Sequence, residues 1–280
     1  METVNTLERS TNYKVIISGT NLEIYQYEIE QWKNMNPPKQ KIKSPKTEKA
    51  KQTKISDFSK HRARQYINRL VHCNLTKALK EDNIASFWTF TFAENLQDIH
   101  QANKIFSKFI KRLNYDIYRE KCSKIKYLVV TEFQKRGAVH YHALFFNLDK
   151  ELVNTERKTR RIADVWGHGF IQADLIFDVG QAIGYMVKYI HKNFDDIRLA
   201  KKKKYFCSRG LERPVIVTMH ELGNTIKAEL QSSKEDYRKE YDTKMNGTAI
   251  YTTYTLDSET LENILIHCKD YYEKLYPVRT

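Results

Sequence analysis

The sequence predicts an α+β protein built around one antiparallel sheet that carries its helices on one face. Two kinds of segment support this fold class. In short segments aromatic and polar residues alternate, and in longer ones apolar residues recur every three or four positions. The order of these segments along the chain decides the topology. At 280 residues the chain is long enough to bury a core of its own.

Seven elements follow one another in the order strand, helix, strand, strand, helix, strand, helix. They are expected at Phe87–Phe92, Ile99–Leu113, Tyr127–Phe133, His140–Phe146, Lys150–Trp166, Phe170–Phe177 and Val179–Phe194. This order is typical of a ferredoxin-like, or RRM-like, split βαβ arrangement with one added helix.

Each element has its own signal. Polar and aromatic side chains alternate in the first strand, as in a half-buried strand. The first and last helices each carry an apolar stripe at helical spacing. The two middle strands are separated by residues 134–138, a hairpin-sized connection that contains Gly137. The second helix is polar and ends before Gly167.

Two flanking regions complete a three-part division into residues 1–80, 81–215 and 216–280. The first is predicted to be a basic extension that becomes helical near Phe58–Leu79. Between Lys39 and Arg64 ten lysines or arginines face two acids, so a DNA-contacting arm and a solvated linker both remain open. The last region is predicted as a helix, a strand and a helix, at His220–Tyr241, Ala249–Leu256 and Ser258–Leu275.

The composition favours a nucleic-acid partner. The formal net charge is +14 and the pI is about 9.4, which predicts attraction to a polyanion. Four cysteines without a CxxC pair suggest reduced thiols rather than a disulfide framework. There is no apolar signal region and no apolar run of membrane-spanning length, so we expect a cytoplasmic protein without a membrane partner.

Two histidines separated by one residue, His140 and His142, fall in a predicted strand. Residues two apart in a strand point to the same side, so both imidazoles can reach one metal ion. If the hairpin is centred on Arg136, Glu132 lies opposite His140 in the neighbouring strand. A carboxylate then joins the two imidazoles on one sheet face.

An acid and two histidines on an otherwise apolar strand pair favour a metal site over a Glu–His ion pair, which remains the alternative. Two nitrogens and one carboxylate with open positions suit a catalytic Mn²⁺ or Mg²⁺. Zinc also fits this donor set.

The last predicted helix carries Tyr185 and Tyr189, which share one face because they are four residues apart. Lys188 lies beside them. A phenol is a weak nucleophile near neutral pH because its ordinary pKa is about 10. A divalent cation and a lysine favour the phenolate, so a tyrosine could attack a phosphodiester and leave a 3′-hydroxyl. Religation from such a link needs no ATP, in agreement with the lack of a GxxxxGK[ST] loop.

Three segments resemble, in order, the motifs of the HUH endonucleases, and in particular of the rolling-circle replication initiators of single-stranded DNA phages and small plasmids. They are Phe87–Thr91, Glu132–His142 and Tyr185–Tyr189. Ser208–Leu211 is similar to a segment that often follows the tyrosines in this branch. The resemblance covers residues 84–214, and its one departure is the aromatic Tyr141 between the histidines.

The resemblance implies roles for individual residues. The metal ligands would be His140, His142 and Glu132, and the catalytic residues Tyr185, Tyr189 and Lys188. Many relatives use a single tyrosine placed three residues before a lysine, and Tyr185 has that spacing. The residues expected to contact DNA are Thr89, Thr91, Lys135, Arg136 and Arg209.

The implied function is a single-stranded DNA nickase and ligase that starts rolling-circle replication through a 5′-phosphotyrosine and leaves a 3′-hydroxyl for priming. Its partners would be single-stranded origin or hairpin DNA, a host helicase and a polymerase, in the cytoplasm of a bacterial or archaeal cell. A relaxase or single-strand transposase would use the same residues. A non-catalytic RRM-like module is a further alternative, in which Phe87, Trp88 and Phe90 stack on bases.

Overall fold

The computed structural model describes residues 10–32, 57–80, 84–121, 123–148, 156–193, 196–199, 204–218, 220–243 and 246–275. The chain divides into two compact units. We call Lys51–Arg213 the central unit, and Met1–Ala50 together with Pro214–Thr280 the terminal unit. The basic stretch from Lys39 to Ser56 lies outside the described residues, so an arm there stays a prediction.

Ten strands and six α-helices lie in the described part of the chain. The strands are β1 (Ser10–Ser18), β2 (Asn21–Trp32), β3 (Ile84–Thr91), β4 (Tyr127–Phe133), β5 (Val139–Leu148), β6 (Ile171–Ile176), β7 (Tyr205–Cys207), β8 (Val215–Val217), β9 (Tyr237–Asp242) and β10 (Thr248–Thr255). The helices are α1 (Asp57–Lys80), α2 (Ile99–Tyr118), α3 (Glu156–Trp166), α4 (Val179–Asn193), α5 (His220–Glu229) and α6 (Ser258–Leu275).

The central unit contains an antiparallel five-stranded sheet in the order β6-β3-β5-β4-β7. Its first four members have the strand order of a ferredoxin-like fold, and α2, α3 and α4 occupy the predicted places between and after them. The α+β class predicted from the sequence is therefore confirmed. The short strand β7 extends the sheet beyond β4.

One face of this sheet packs against α2 and α3. Trp88, Phe90 and Phe92 alternate along β3 toward this side and meet the apolar stripe of α2. The six stripe residues of α2, namely Ile99, Ala102, Phe106, Phe109, Ile110 and Leu113, are all buried, as their spacing predicted. Aspartate at the N-cap accepts a hydrogen bond from the backbone N–H of His100, which fixes where α2 begins.

The opposite face of the sheet carries α1 and α4. Leu128, Val130 and Leu144 on the strands pack with buried side chains of these helices. From α1 these are Ile67, Leu70, Val71, Leu75 and Ala78, and from α4 they are Ala182 and Met186. The helices therefore lie on both faces, which corrects the expectation that they share one. The apolar spacing that predicted a helix near residues 58–79 is satisfied by this second core.

The terminal unit contains the other antiparallel sheet, in the order β8-β1-β2-β10-β9. Helices α5 and α6 cover one of its faces. The buried residues between them and the sheet include Val15, Ile24, Leu222, Ile226 and Ile264. Burial raises the pKa of the Cys268 thiol in this core to about 11.

The structure divides the flanking regions differently from the sequence-based expectation. Strands β1 and β2, which were not foreseen, join β8, β9 and β10 in one sheet, whereas α1 packs in the central unit. The helix predicted over His220–Tyr241 ends at Glu229, and β9 replaces its second half. That part of the prediction was wrong because β9 is held by pairing with β10 rather than by a local signal. The predicted last strand and last helix are confirmed.

Candidate metal centre and tyrosine helix

The hairpin of β4 and β5 sets the positions of the candidate metal ligands. Its register pairs Glu132 with His140 and Val130 with His142, as predicted from a turn centred on Arg136. The turn closes when the N–H of Gly137 donates to the carbonyl of Gln134. Gly137 has φ of +90°, a conformation that glycine adopts at little cost.

Glu132, His140 and His142 meet on the sheet face that carries α4. One donor atom from each lies within 4.8 Å of the others. Glu132 and His142 are only 3% and 2% exposed, and Oε2 of Glu132 lies 2.7 Å from Nε2 of His142. His140 is half-buried, so the cluster can be reached from its side.

The spacing of these donors fits a divalent metal ion. Two ligands at right angles, each about 2.1 Å from Mg²⁺, lie about 3 Å apart. The 2.7 Å between Glu132 and His142 is close to this separation. Nδ1 of His142 lies 3.2 Å from Oγ1 of Thr89, a contact of the kind that orients metal-binding histidines. The three side chains could therefore hold Mn²⁺ or Mg²⁺ between them.

Tyr141, between the two histidines, points to the opposite side of the sheet. It is fully buried among the aromatic residues packed on α2, and its hydroxyl donates to Oδ1 of Asn103 at 2.6 Å. Burial raises the pKa of this phenol far above its ordinary value. Tyr141 therefore serves the core, and its aromatic character does not disturb the histidine pair.

Helix α4 lies against the candidate ligands. The ring of Tyr189 stacks on His142 with centroids 3.4 Å apart and planes 16° apart. Phe87 of β3 stacks on Tyr185 at 4.8 Å and on Tyr189 at 5.7 Å. Lys188 is exposed, with Nζ 5.5 Å from the centre of the Tyr189 ring. Of the two tyrosines, Tyr189 thus has the direct contact with a candidate ligand, whereas the resemblance pointed first to Tyr185.

Three of the five residues expected to contact DNA are engaged within the protein. Thr89 contacts His142, and Thr91 donates through Oγ1 to the backbone carbonyl of Phe170. The guanidinium of Arg136 donates to the carbonyls of Phe92 and Ala93, so it ties the hairpin turn to the end of β3.

The other two residues of that list differ in position. Lys135 is exposed in the turn next to Gln134, at the same end of the hairpin as His140. Arg209 is exposed too, but its carbonyl accepts from Lys126, just before β4 begins. Glu132 lies near the other end of β4, about 17 Å away at the usual rise of a strand. Lys135 thus lies near the candidate metal centre, and Arg209 does not.

Phe170 is a candidate that the sequence did not reveal. It precedes the edge strand β6, and its carbonyl accepts from the backbone N–H of Thr91, which pairs with His140. Its side chain is 68% exposed, although a large apolar residue is usually buried. The only signal in the sequence is its position after the Gly167–Gly169 break, which says nothing about exposure.

The aromatic residues of β3 do not form a binding platform. Phe87, Trp88 and Phe90 are buried under the helices of the two faces. They cannot stack on bases, so the observation that supported a non-catalytic RRM-like module on this strand no longer holds.

Comparisons with known proteins place the central part of the chain. Residues 85–194, about two fifths of the sequence, match the family model of the replication-associated protein ORF2. No curated protein and no solved structure matches the chain. Within the described residues, every helix is too short or too polar to span a bilayer. The motifs quoted above lie in the matched segment, and residues 85–194 therefore form a domain of this replication-associated protein family, as the resemblance to rolling-circle initiators indicated.

Proposed function

We propose that the central unit is a metal-dependent tyrosine nickase that cuts and rejoins single-stranded origin DNA. The observation that carries this proposal is the stacking of Tyr189 on His142, because it brings a phenol to the edge of the candidate metal cluster. A packing tyrosine on an unrelated helix would have no reason to lie against a metal ligand. The match to a replication-associated family agrees with DNA as the substrate.

The tyrosine hydroxyl is the nucleophile in this reaction. Its oxygen attacks the scissile phosphorus, a bond to the tyrosine forms, and the bond to the 3′-oxygen breaks. The phenol loses its proton and the leaving 3′-oxygen gains one, so the phosphodiester is exchanged without oxidation or hydrolysis. Attack by a 3′-hydroxyl on the phosphotyrosine reverses the step and rejoins the strand.

The side chains around the phosphate divide the remaining work. Glu132, His140 and His142 would hold one divalent cation, which supplies a Lewis acid for the scissile phosphate. Thr89 keeps the imidazole of His142 in position through its contact with Nδ1. Lys188, exposed beside the Tyr189 ring, offsets the negative charge of the phosphate.

Both tyrosines are candidates for the nucleophile. Tyr185 and Tyr189 stack on the same Phe87 ring, so they occupy one continuous aromatic stack above β3. We assign the first cut to Tyr189 because its ring contacts His142 directly. Tyr185, one turn earlier on α4, is placed to receive a second strand in a strand-transfer step.

The proposal is tested by trapping the covalent intermediate. The full-length protein is incubated with random-sequence single-stranded oligonucleotides labelled at the 3′ end, so that the fragment joined to tyrosine keeps the label. Reactions with Mn²⁺ and with EDTA are resolved on a denaturing gel. We expect a heat-stable labelled adduct with Mn²⁺ and none with EDTA.

Two variants show whether the adduct arises from the proposed site. His142→Ala should abolish it, and so should the double variant Tyr185→Phe and Tyr189→Phe, which keeps both rings but removes both hydroxyls. Tyr115→Phe, on the exposed side of α2, serves as the matched control and should form the adduct like wild type. An adduct that survives the double variant, or no adduct from the random pool with Mn²⁺, contradicts the proposal.

A further inference from the structure

The terminal sheet has one face that α5 and α6 do not cover. Tyr13, Val15 and Ile17 of β1 alternate toward the helices, so the residues between them point to the other side. The strand registers carry this alternation across β2, β10 and β9. We call this second side the tyrosine face, because it bears Tyr25, Tyr27, Tyr237, Tyr241 and Tyr251.

The pairing of the strands arranges these residues in rows. One row runs across four strands as Lys239, Tyr251, Tyr25 and Lys14. The rings of Tyr25 and Tyr251 are 4.7 Å apart, and Nζ of Lys14 lies 5.6 Å from the centre of the Tyr25 ring. Two neighbouring phenol rings thus have an ammonium group on either side.

Further tyrosines extend this row toward the edge strand β9. Tyr241 and Tyr27 lie in the next row, on either side of the small Ala249. Tyr237 lies on the opposite side of Lys239, with its ring 6.2 Å from that of Tyr251. Tyr237 is 51% and Tyr241 37% exposed, although both are large and aromatic. Ile16, on the same face, is fully buried, so the open part of the face lies toward β9.

A buried carboxylate holds two of the rings in place. Oε2 of Glu23 accepts from the hydroxyl of Tyr25 at 3.1 Å and from that of Tyr251 at 3.2 Å. Glu23 is only 5% exposed, so it does not oppose a negatively charged ligand at the surface. The two rings are therefore preorganised, and the exposed charges of the central row belong to lysines.

We propose that the tyrosine face binds single-stranded DNA as a second site, separate from the nicking centre. Rigid aromatic rings interleaved with lysines are what a single strand requires, because bases stack on the rings and phosphates pair with the ammonium groups. A duplex hides the faces of its bases and does not fit. A protein partner would need an apolar patch, whereas the open tyrosines carry hydroxyls and are flanked by charges. This site lies outside residues 85–194 and does not depend on the proposed nuclease activity.

Binding of a fluorescent oligothymidine of about 16 nucleotides, a length at the upper end of known single-strand sites, tests the proposal. Anisotropy is measured with the full-length protein in EDTA, so that cleavage plays no part. The double variant Tyr237→Ala and Tyr241→Ala removes the two most exposed rings of an edge strand without opening a core. Since each stacked base contributes about 1–3 kcal/mol, we expect Kd to rise at least about tenfold.

Three controls separate stacking from other effects. The double variant Tyr237→Phe and Tyr241→Phe keeps the rings and should bind within about twofold of wild type, since stacking needs no hydroxyl. Tyr115→Ala removes a tyrosine that is equally exposed, at 54%, on α2 of the central unit and should leave Kd unchanged. Lys239→Gln should lower the slope of log Kd against log salt by about 0.7, the value for one phosphate of a single strand.

The outcomes are distinct from those of the adduct assay. Loss of affinity in the alanine pair with full retention in the phenylalanine pair supports the proposal, whether or not the protein nicks DNA. Equal losses in the two pairs, or an alanine pair that binds within twofold of wild type, overturn it. Binding of a blunt duplex as tightly as the single strand overturns it as well, because the face would then act through charge alone.

Discussion

Tyr189 lies flat against His142, with ring centroids 3.4 Å apart, while Tyr185 reaches the same imidazole only through Phe87. The two tyrosines share one helical face, so the sequence alone could not rank them. The crossing of α4 over the sheet distinguishes them, because it places the second tyrosine, rather than the first, over the candidate ligands.

We therefore predict that Tyr189→Phe lowers the rate of the first cut by at least about a hundredfold, since a missing nucleophile cannot be replaced by its ring. Tyr185→Phe should cut at a rate near that of wild type but should lose transfer to a second oligonucleotide. Single-turnover adduct formation measures the first effect, and appearance of a joined product measures the second. The reverse ranking of the two variants would assign the first cut to Tyr185.

Metal binding should stabilise the central unit. At a hundredfold excess over Kd, a ligand that binds only the folded state adds about 2.7 kcal/mol to the free energy of unfolding. Mn²⁺ should therefore raise the Tm of the wild-type protein by several degrees, and Glu132→Gln should remove most of this rise. Glu120→Gln, an exposed acid paired with Lys124, is the matched control and should respond like wild type. An equal rise in all three proteins would place the metal elsewhere.

Thr89 should act on metal affinity through His142. Thr89→Val keeps the shape of the side chain but removes Oγ1, which lies 3.2 Å from Nδ1 of His142. Loss of such a contact typically weakens metal binding about 10- to 100-fold. Titration of Mn²⁺ by calorimetry measures this, and Thr89→Ser should restore the wild-type value. Thr91→Val loses a hydrogen bond to the carbonyl of Phe170 instead and should leave metal affinity unchanged.

The candidate metal cluster could be predicted because its geometry is local. A turn of five residues fixes the register of the hairpin, and the register alone brings Glu132 opposite His140. The ferredoxin-like core was predictable for a similar reason, since each of its elements has a strong pattern of period two or near four.

The terminal sheet could not be predicted because its pairings are remote in sequence. Tyr25 pairs with Tyr251, more than 200 residues later, and no local pattern announces such a contact. In β2 both faces carry polar or aromatic residues, so alternation of apolar and polar residues does not mark the strand. The segment Tyr237–Asp242 is rich in charge and reads equally well as the end of a helix, until β10 provides its partner.

Tyr141 should matter for stability and not for catalysis. Its hydroxyl donates to Asn103 on the α2 side of the sheet, away from both histidines. Tyr141→Phe removes this hydrogen bond and should lower the free energy of unfolding by about 1 kcal/mol. Urea denaturation measures the loss, while adduct formation by the folded variant should match wild type. A variant that folds well but no longer nicks DNA would contradict this separation of the two faces.

Two glycines near the candidate site should respond to alanine in opposite ways. At Gly169, where φ is +150°, an added Cβ would lie 2.6 Å from the backbone of both Thr91 and Ala93. Neither backbone can move without breaking the end of β3, so Gly169→Ala should cost about 3 kcal/mol or more. At Gly184, within α4, nothing lies within 4 Å of an added Cβ. Gly184→Ala should therefore stabilise the protein by about 0.5–1 kcal/mol through helix propensity.

Thermal and urea unfolding of the two alanine variants measure this contrast. Gly169→Ala should also slow adduct formation, because the displaced end of β3 carries Thr91, the neighbour of His140. Gly184→Ala should keep wild-type nicking, since the methyl group precedes Tyr185 without touching its ring stack. If Gly169→Ala were as stable as wild type, the close approach of the 167–170 segment to β3 would be wrong, and with it the position assigned to Phe170 beside the candidate metal centre.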